Sequence, residues 1–252
     1  MKKYTFISQN NNRFWIEINS DKVFKLIGSI FEDEPKKEEI NVNKDNLNFS
    51  IPFDKNKVIG LAYNYKSLVK KKSEFDEPLV FLKSNTGLIP HHGEIIYPNF
   101  VKKVWIEAEL CIIIKKEGKN IDIDKAEEHI LGYTCGNDVT AENIHKRDWH
   151  LGRSKGLDTF APIGPYLFKE LKTKDLQIRS FINDKKTQES RTSERILDDK
   201  ECVSLVSKYF TLFPGDIIFT GTPAGATDAI VKKGDKVTIE IEKIGKLVNS
   251  IK

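Results

Sequence analysis

Three cysteines, one methionine and five histidines are few for a chain of 252 residues, and what is scarce narrows the choices first. Cys111, Cys135 and Cys202 are odd in number and far apart, and two sit in apolar runs. Buried thiols in a reducing compartment are therefore expected rather than a disulfide framework. No stretch of 18 consecutive apolar residues occurs, and the start, MKKYTFISQNNN, has no sustained apolar segment. A soluble, cytoplasmic protein with no membrane partner is expected. No Lys/Arg block is interleaved with aromatics, which argues against a nucleic-acid partner. Neither a Walker A nor a dinucleotide-binding glycine pattern is present. Charge is plentiful, 41 Lys/Arg against 37 Asp/Glu, but mixed in sign, and the net of +4 gives no strong bias towards any partner. The length suits one large domain, or a main domain with a small extra one.

Alternating apolar residues predict short strands over Tyr4–Ile7, Phe14–Ile18 and Val23–Ile27, and a charged, weakly periodic stretch follows from Glu32 to Asn48. Residues 1–56 are expected to form a small N-terminal β domain, and 57–252 the main one. Lys57–Tyr65 begins as a buried strand and is expected to break at Gly60. Lys66–Glu77, with its run Lys70–Lys72, reads as a solvated segment or as a basic, mobile cover over a site. Pro78–Lys83 is a strand ending in a lysine, a position that is ordinarily solvated. His91 and His92 lie among turn residues and are expected at the surface. A short helix after Asp122, stopped near Gly132, and a second from Thr140 to Trp149 are predicted. Gly152–Phe168 is rich in Gly and Pro and poor material for regular structure. A hairpin turning at Asn183–Lys186, an amphipathic helix over Asp199–Phe213 and a last hairpin turning at Gly245 complete the chain.

The stretch with chemical content is Trp105–Ile114, WIEAELCIII. On a strand, residues i and i+2 share a face, so Glu107 and Glu109 project together from an otherwise apolar segment. Buried like charges repel, and a divalent cation resolves the conflict, since Mg²⁺ favours a few carboxylate oxygens with positions left for water or substrate. The alternative is a solvent-facing pair on an edge strand. Asp138 ends the run Tyr133–Val139 just before the second predicted helix. There it is either an N-cap or a third ligand. Asp216–Pro223 is a buried strand running into a loop of small residues, Gly221–Gly225, whose N–H groups suit an anion.

Taken in order, these motifs resemble the fumarylacetoacetate hydrolase family. The matching residues are Gly60, Asn64-Tyr65, Glu107-x-Glu109, Gly132-Tyr133, Asn137 to Ala141, Lys155 to Pro165, Asn183 with Gln188, Pro214 to Gly225, and Gly234-Asp235. They span about residues 57 to 251. The resemblance implies an α+β, mostly β fold, a mixed β-roll or barrel core of that family's C-terminal type with a few short helices. It implies Mg²⁺ or Mn²⁺ held by Glu107, Glu109 and Asp138, and a homodimer. The implied substrate is a small-molecule 2-oxo acid with a second carboxylate or a 1,3-dicarbonyl. Lys155 and Thr222 are the implied catalytic residues, with Tyr65, Lys83, Lys155, Gly221 and Thr222 about the substrate.

Hydrolytic members of the family carry a His after the Asn-Tyr and a Glu three residues later, which activate water. Here those positions are Leu68 and Lys71. Leucine has no ionisable group, and a lysine is mostly protonated at neutral pH. Glu142 also stands where many members have an Arg. An intact metal set without the water-activating pair points to decarboxylation or isomerisation through a metal-stabilised enolate. The alternatives are a C–C bond hydrolase that draws its base from His91 or His92, and a catalytically weak 2-oxo acid binding protein.

Overall fold

A computed structural model describes residues 1–69, 77–143 and 146–252. The basic run Lys70–Lys72 and the aligned position Lys71 lie outside the described residues. The longest sheet has eleven strands. From one edge its order is Lys37–Ile40, Lys22–Leu26, Asn12–Asn19, Lys3–Gln9, Ala161–Phe168, Ile130–Asn137, Ala108–Ile114, Ile217–Phe219, Val58–Ala62 and Leu79–Lys83, with Leu88–Ile89 pairing on Ala161–Phe168. A second sheet runs Lys185–Arg191, Gln177–Ile182, Lys236–Ile241, Gly245–Ile251, Glu94–Ile95, and a third joins Thr140–Ala141, Val104–Trp105 and Ile230–Val231.

Ala108–Ile114 is buried along its whole length because it has partners on both edges and a core on both faces. Leu110, Ile112 and Ile114 pack into one apolar cluster, and Cys111 and Ile113 into another. A continuous apolar run is what such a strand requires. The period of two puts Glu109 on the Cys111–Ile113 side. That second cluster also contains Tyr4, Leu26, Ile30 and Phe53, so the strands of residues 1–56 share a buried face with the main sheet. Tyr4 pairs with Leu167 across the junction.

The helix Asp199–Tyr209 is held by a capping box between Asp198 and Glu201, and buries Cys202, Val203, Leu205 and Val206. Each buried aliphatic side chain contributes about 1.5–3 kcal/mol. Asn183 and Asp184 both take positive φ (49° and 66°), the backbone of a two-residue hairpin turn. All three cysteines are free and buried.

Four local expectations are corrected. Gly60 does not break its strand: it lies inside Val58–Ala62, where a Cβ would stand 2.1 Å from the Phe81 ring. Gly132 does not stop a helix. The helical segment, a 3₁₀ turn over Ile123–His129, ends earlier, and Gly132 sits in the next strand, where a Cβ would stand 2.4 Å from the Phe168 carbonyl oxygen. No helix begins at Thr140, which opens a short strand against Trp105. The Gly/Pro-rich stretch holds a helical turn, Gly152–Lys155, and a full strand, Ala161–Phe168. Its partner strands, remote in sequence, supply order that local composition does not.

Candidate metal centre

Two backbone hydrogen bonds lock the acidic segments together. Glu107 N donates to Asn137 Oδ1 (3.1 Å), and Asp138 N donates to the Glu107 carbonyl (3.0 Å). Glu107 stands just ahead of the central strand and Glu109 within it. Oxygens of Glu107, Glu109 and Asp138 then converge to within 4.8 Å of one another, all three residues buried. Asp138 is therefore no helix cap.

Each carboxylate has its own support. Glu107 Oε1 accepts from Trp105 Nε1 and from Thr140 Oγ1, both at 2.8 Å, and lies 3.0 Å from Lys155 Nζ. Asp138 takes one ammonium on each oxygen, Lys83 on Oδ1 and Lys155 on Oδ2, both at 2.5 Å. Glu109 Oε2 accepts from Gly221 N at 2.6 Å, and among the described residues it has no cationic partner. Gly221 has φ +99°, and a Cβ there would lie 2.8 Å from that of Asn64. Asn64 in turn donates to the Thr220 and Leu197 carbonyls and accepts from Leu197 N, tying the loop to the approach of the long helix.

Burial works against every charge here. It pushes the Glu107 carboxyl up, opposed by Lys155 and assisted by Asp138. It pushes Glu109 well up, and the charges of Asp138 and Glu107 add to the effect. For Asp138 burial is outweighed by Lys155 and Lys83, which hold it below the usual carboxylate range. For Lys155 burial is outweighed by Asp138 and Glu107, which hold it above the usual lysine range. Lys83 goes the other way: burial dominates and lowers it. The Lys155 ammonium also lies 5.1 Å from the centre of the Phe81 ring. With all five groups ionised, the three carboxylates and the two ammonium groups found here among the described residues carry a formal charge of −1, and Glu109 is the carboxylate without an ion-pair partner. Hard oxygen donors, one of them a carboxylate without a cationic partner among the described residues, fit a divalent ion such as Mg²⁺ or Mn²⁺.

The structure thus brings together Glu107, Glu109, Asp138, Lys155, Lys83 and Gly221. Lys83 corrects the expectation of a solvated strand end, since its side chain is closed off from solvent. Thr222 follows Gly221, and its hydroxyl accepts from Gln188 Nε2 at 2.9 Å. Tyr65 is fully buried, pairs by backbone with Arg195, and its hydroxyl has no partner among the described residues. Leu68 is half-buried and Glu142 partly exposed. His92 is exposed, as expected, and His91 is half-buried; a left-handed backbone at His92 (φ 66°) sets the two rings 3.8 Å apart rather than on opposite faces. His91 Nδ1 accepts from Val248 N, and its ring packs edge-on against Phe49. Trp105, Asn137, Thr140 and Gln188 support the site without having been singled out individually. Of these only Asn137, Thr140 and Gln188 carried a signal, as part of the motif pattern.

The profile of the fumarylacetoacetate (FAA) hydrolase C-terminal domain matches residues 57–252. The chain belongs to the fumarylacetoacetate hydrolase family. It is similar to a solved 2-hydroxyhepta-2,4-diene-1,7-dioate isomerase from Mycobacterium marinum, with TM-score 0.89 and 31% identity, covering 100% of this chain and 98% of that one. It is 34% identical over 212 residues to the mitochondrial oxaloacetate tautomerase FAHD2A of Bos taurus, covering 77% of this chain and 66% of the bovine one. A fumarylpyruvate hydrolase from Pseudomonas aeruginosa, solved in complex with Mn²⁺ and pyruvate, superposes with TM-score 0.71 and 28% identity over 78% of this chain and 89% of that one.

Proposed function

We propose that this chain is a divalent-metal-dependent enzyme acting on a 2-oxo dicarboxylate or its enol, by isomerisation, tautomerisation or decarboxylation rather than hydrolysis. The observation that carries this reading is the convergence of three buried carboxylates with Lys155 spanning two of them. Mg²⁺ or Mn²⁺ would be held by Glu107, Glu109 and Asp138, and when bound it supplies a Lewis acid for the 2-oxo group. A bound dication would add two positive charges to the site, which favours an anionic substrate. The Lys155 ammonium, kept charged by two carboxylates, offers positive charge to an oxygen that becomes negative as the enolate forms. Gly221 keeps Glu109 aimed, and Thr222 offers a hydroxyl to a substrate carboxylate. Keto–enol exchange moves a proton between carbon and oxygen and adds no water, so it does not call on the residues that Leu68 and Lys71 replace. The bovine tautomerase supports this choice, and the fumarylpyruvate hydrolase favours hydrolysis as the second reading. The reading includes a cytoplasmic location, a homodimeric assembly, and residues 1–56 as an N-terminal unit that carries no ligand of the metal.

The test follows oxaloacetate by NMR with excess Mg²⁺, a chelator-treated control and Glu107→Ala, corrected for the metal-only rate. Protein- and metal-dependent tautomer exchange or pyruvate formation, lost in Glu107→Ala, is expected. Rapid metal-dependent hydrolysis of an acylpyruvate would overturn the non-hydrolytic reading. Binding without turnover of either substrate would mark a binding protein instead.

A further inference from the structure

Gln188, on the strand Lys185–Arg191, is 2% exposed and uses both ends of its side-chain amide. Oε1 accepts from Ala108 N at 3.0 Å, and Ala108 lies between Glu107 and Glu109. Oε1 also accepts from Ser180 Oγ at 3.0 Å. Nε2 donates to Thr222 Oγ1 and to the Pro223 carbonyl, both at 2.9 Å. The orientation of this amide is dictated from both ends. A backbone N–H only donates, so it must face Oε1, and a carbonyl only accepts, so it must face Nε2.

One consequence falls on Thr222. Its oxygen must accept from Gln188, so its own proton is free, and among the described residues the hydroxyl makes no other hydrogen bond. The same residue keeps 7% of its surface open, next to the Gly221 N–H that holds Glu109. We infer that Gln188 is a positioning residue: it ties the metal-binding strand to the Thr222 loop and forces the Thr222 hydroxyl to act as a donor, which selects a carboxylate oxygen of the substrate. This rests on the proposed 2-oxo acid chemistry and adds to it the residue that sets the polarity of the anion contact. A donor group at the same place would meet a proton and gain nothing from it, and a neutral acceptor would gain less than a carboxylate oxygen does.

Gln188→Glu separates the two ends of the clamp. The introduced carboxylate still accepts from Ala108 N, but it cannot donate to Thr222 and draws the hydroxyl proton towards itself. The 252-residue chain is titrated calorimetrically with Mn²⁺ and, once loaded, with oxalate. The titrations cover the wild type, Gln188→Glu, Thr222→Val and Thr222→Ser, and Gln188→Glu in each of the two Thr222 backgrounds. Mn²⁺ affinity should not fall by more than about threefold in Gln188→Glu, since the strand contact survives. The added charge repels oxalate in every background and cancels in the double-mutant cycle. The excess loss that depends on the Thr222 hydroxyl should be about tenfold, the worth of one hydrogen bond to a charged group. Thr222→Ser keeps the hydroxyl and should keep the excess. An equal loss of oxalate affinity with and without the hydroxyl overturns the inference alone, as does a larger loss of Mn²⁺ affinity, which would mean a displaced strand. Failure of the Mn²⁺-loaded wild type to bind oxalate overturns the functional reading and this inference with it.

Discussion

Lys83 Nζ lies 2.5 Å from Asp138 Oδ1, 55 residues apart in sequence and both closed to solvent. The pair is half of a bridge, because Lys155 holds the other Asp138 oxygen. Removing one member of a buried ion pair is costly, about 3–5 kcal/mol when nothing replaces it. Lys155 remains in Lys83→Met, so a smaller loss of about 2–3 kcal/mol is expected in urea denaturation. Mn²⁺ should bind more tightly to this variant, because one competing positive charge has left the carboxylates. Weaker Mn²⁺ binding would show instead that Lys83 acts by holding Asp138 in place.

Glu109 is the carboxylate with no ammonium among the described residues, and burial plus two like charges raise the cost of its ionised form. Glu109→Gln removes that repulsion and keeps an oxygen for the Gly221 N–H. The metal-free variant should be more stable than metal-free wild type by about 1 kcal/mol. Wild type should gain about 2.7 kcal/mol at a Mn²⁺ concentration 100 times Kd, and the variant little. Melting curves of chelator-treated protein, with and without Mn²⁺, decide the matter. An unchanged metal response in Glu109→Gln would remove this residue from the ligand set.

His91 links pH to stability away from the metal centre. Burial, with some repulsion from His92, pushes its pKa down to about 4 from an ordinary 6.5. Its Nδ1 accepts from Val248 N, which requires the ring nitrogen to be unprotonated. Between those two pH values the unfolded chain binds more protons than the folded one, so stability rises with pH. The contribution is complete above about pH 6.5 and is lost as pH falls towards 4. The ring is only partly buried, so solvent screening limits the effect to about 1–2 kcal/mol. Denaturation midpoints of wild type and His91→Asn should converge as pH falls through this window. A constant gap from pH 7 to 4 would dispose of the assignment.

Legibility in the sequence followed the range of the interaction. Glu107 and Glu109 could be read because their spacing and the apolar run beside them are local signals. The helix expected over Asp199–Phe213, which ends at Tyr209, and the Asn183–Asp184 turn were readable for the same reason: helical periodicity and turn chemistry are set by near neighbours. Only the resemblance put Lys83 near the site; its local pattern reads as solvated, because a lysine at a strand end carries no local mark of burial. Only the folded sheet brings Asp138 to it. Gly60 and Gly132 resembled breaks, yet each is a gap left for a group from another strand, the Phe81 ring or the Phe168 carbonyl.

The amino-acid sequence by itself determined, through alternation and apolar continuity, that a mostly β chain would bury the segment following Glu109 with two carboxylates on one face. That Asp138, Lys155 and the small-residue loop join the same site was implied only by the order of motifs that the chain shares with its family. Tertiary structure alone decided how the charges are shared, with two ammonium groups on Asp138 and, among the described residues, none on Glu109. It alone decided that Gln188 would orient Thr222 from a different sheet. Those choices depend on which distant strands become neighbours, and on hydrogen-bond directions that exist only once buried groups must find partners.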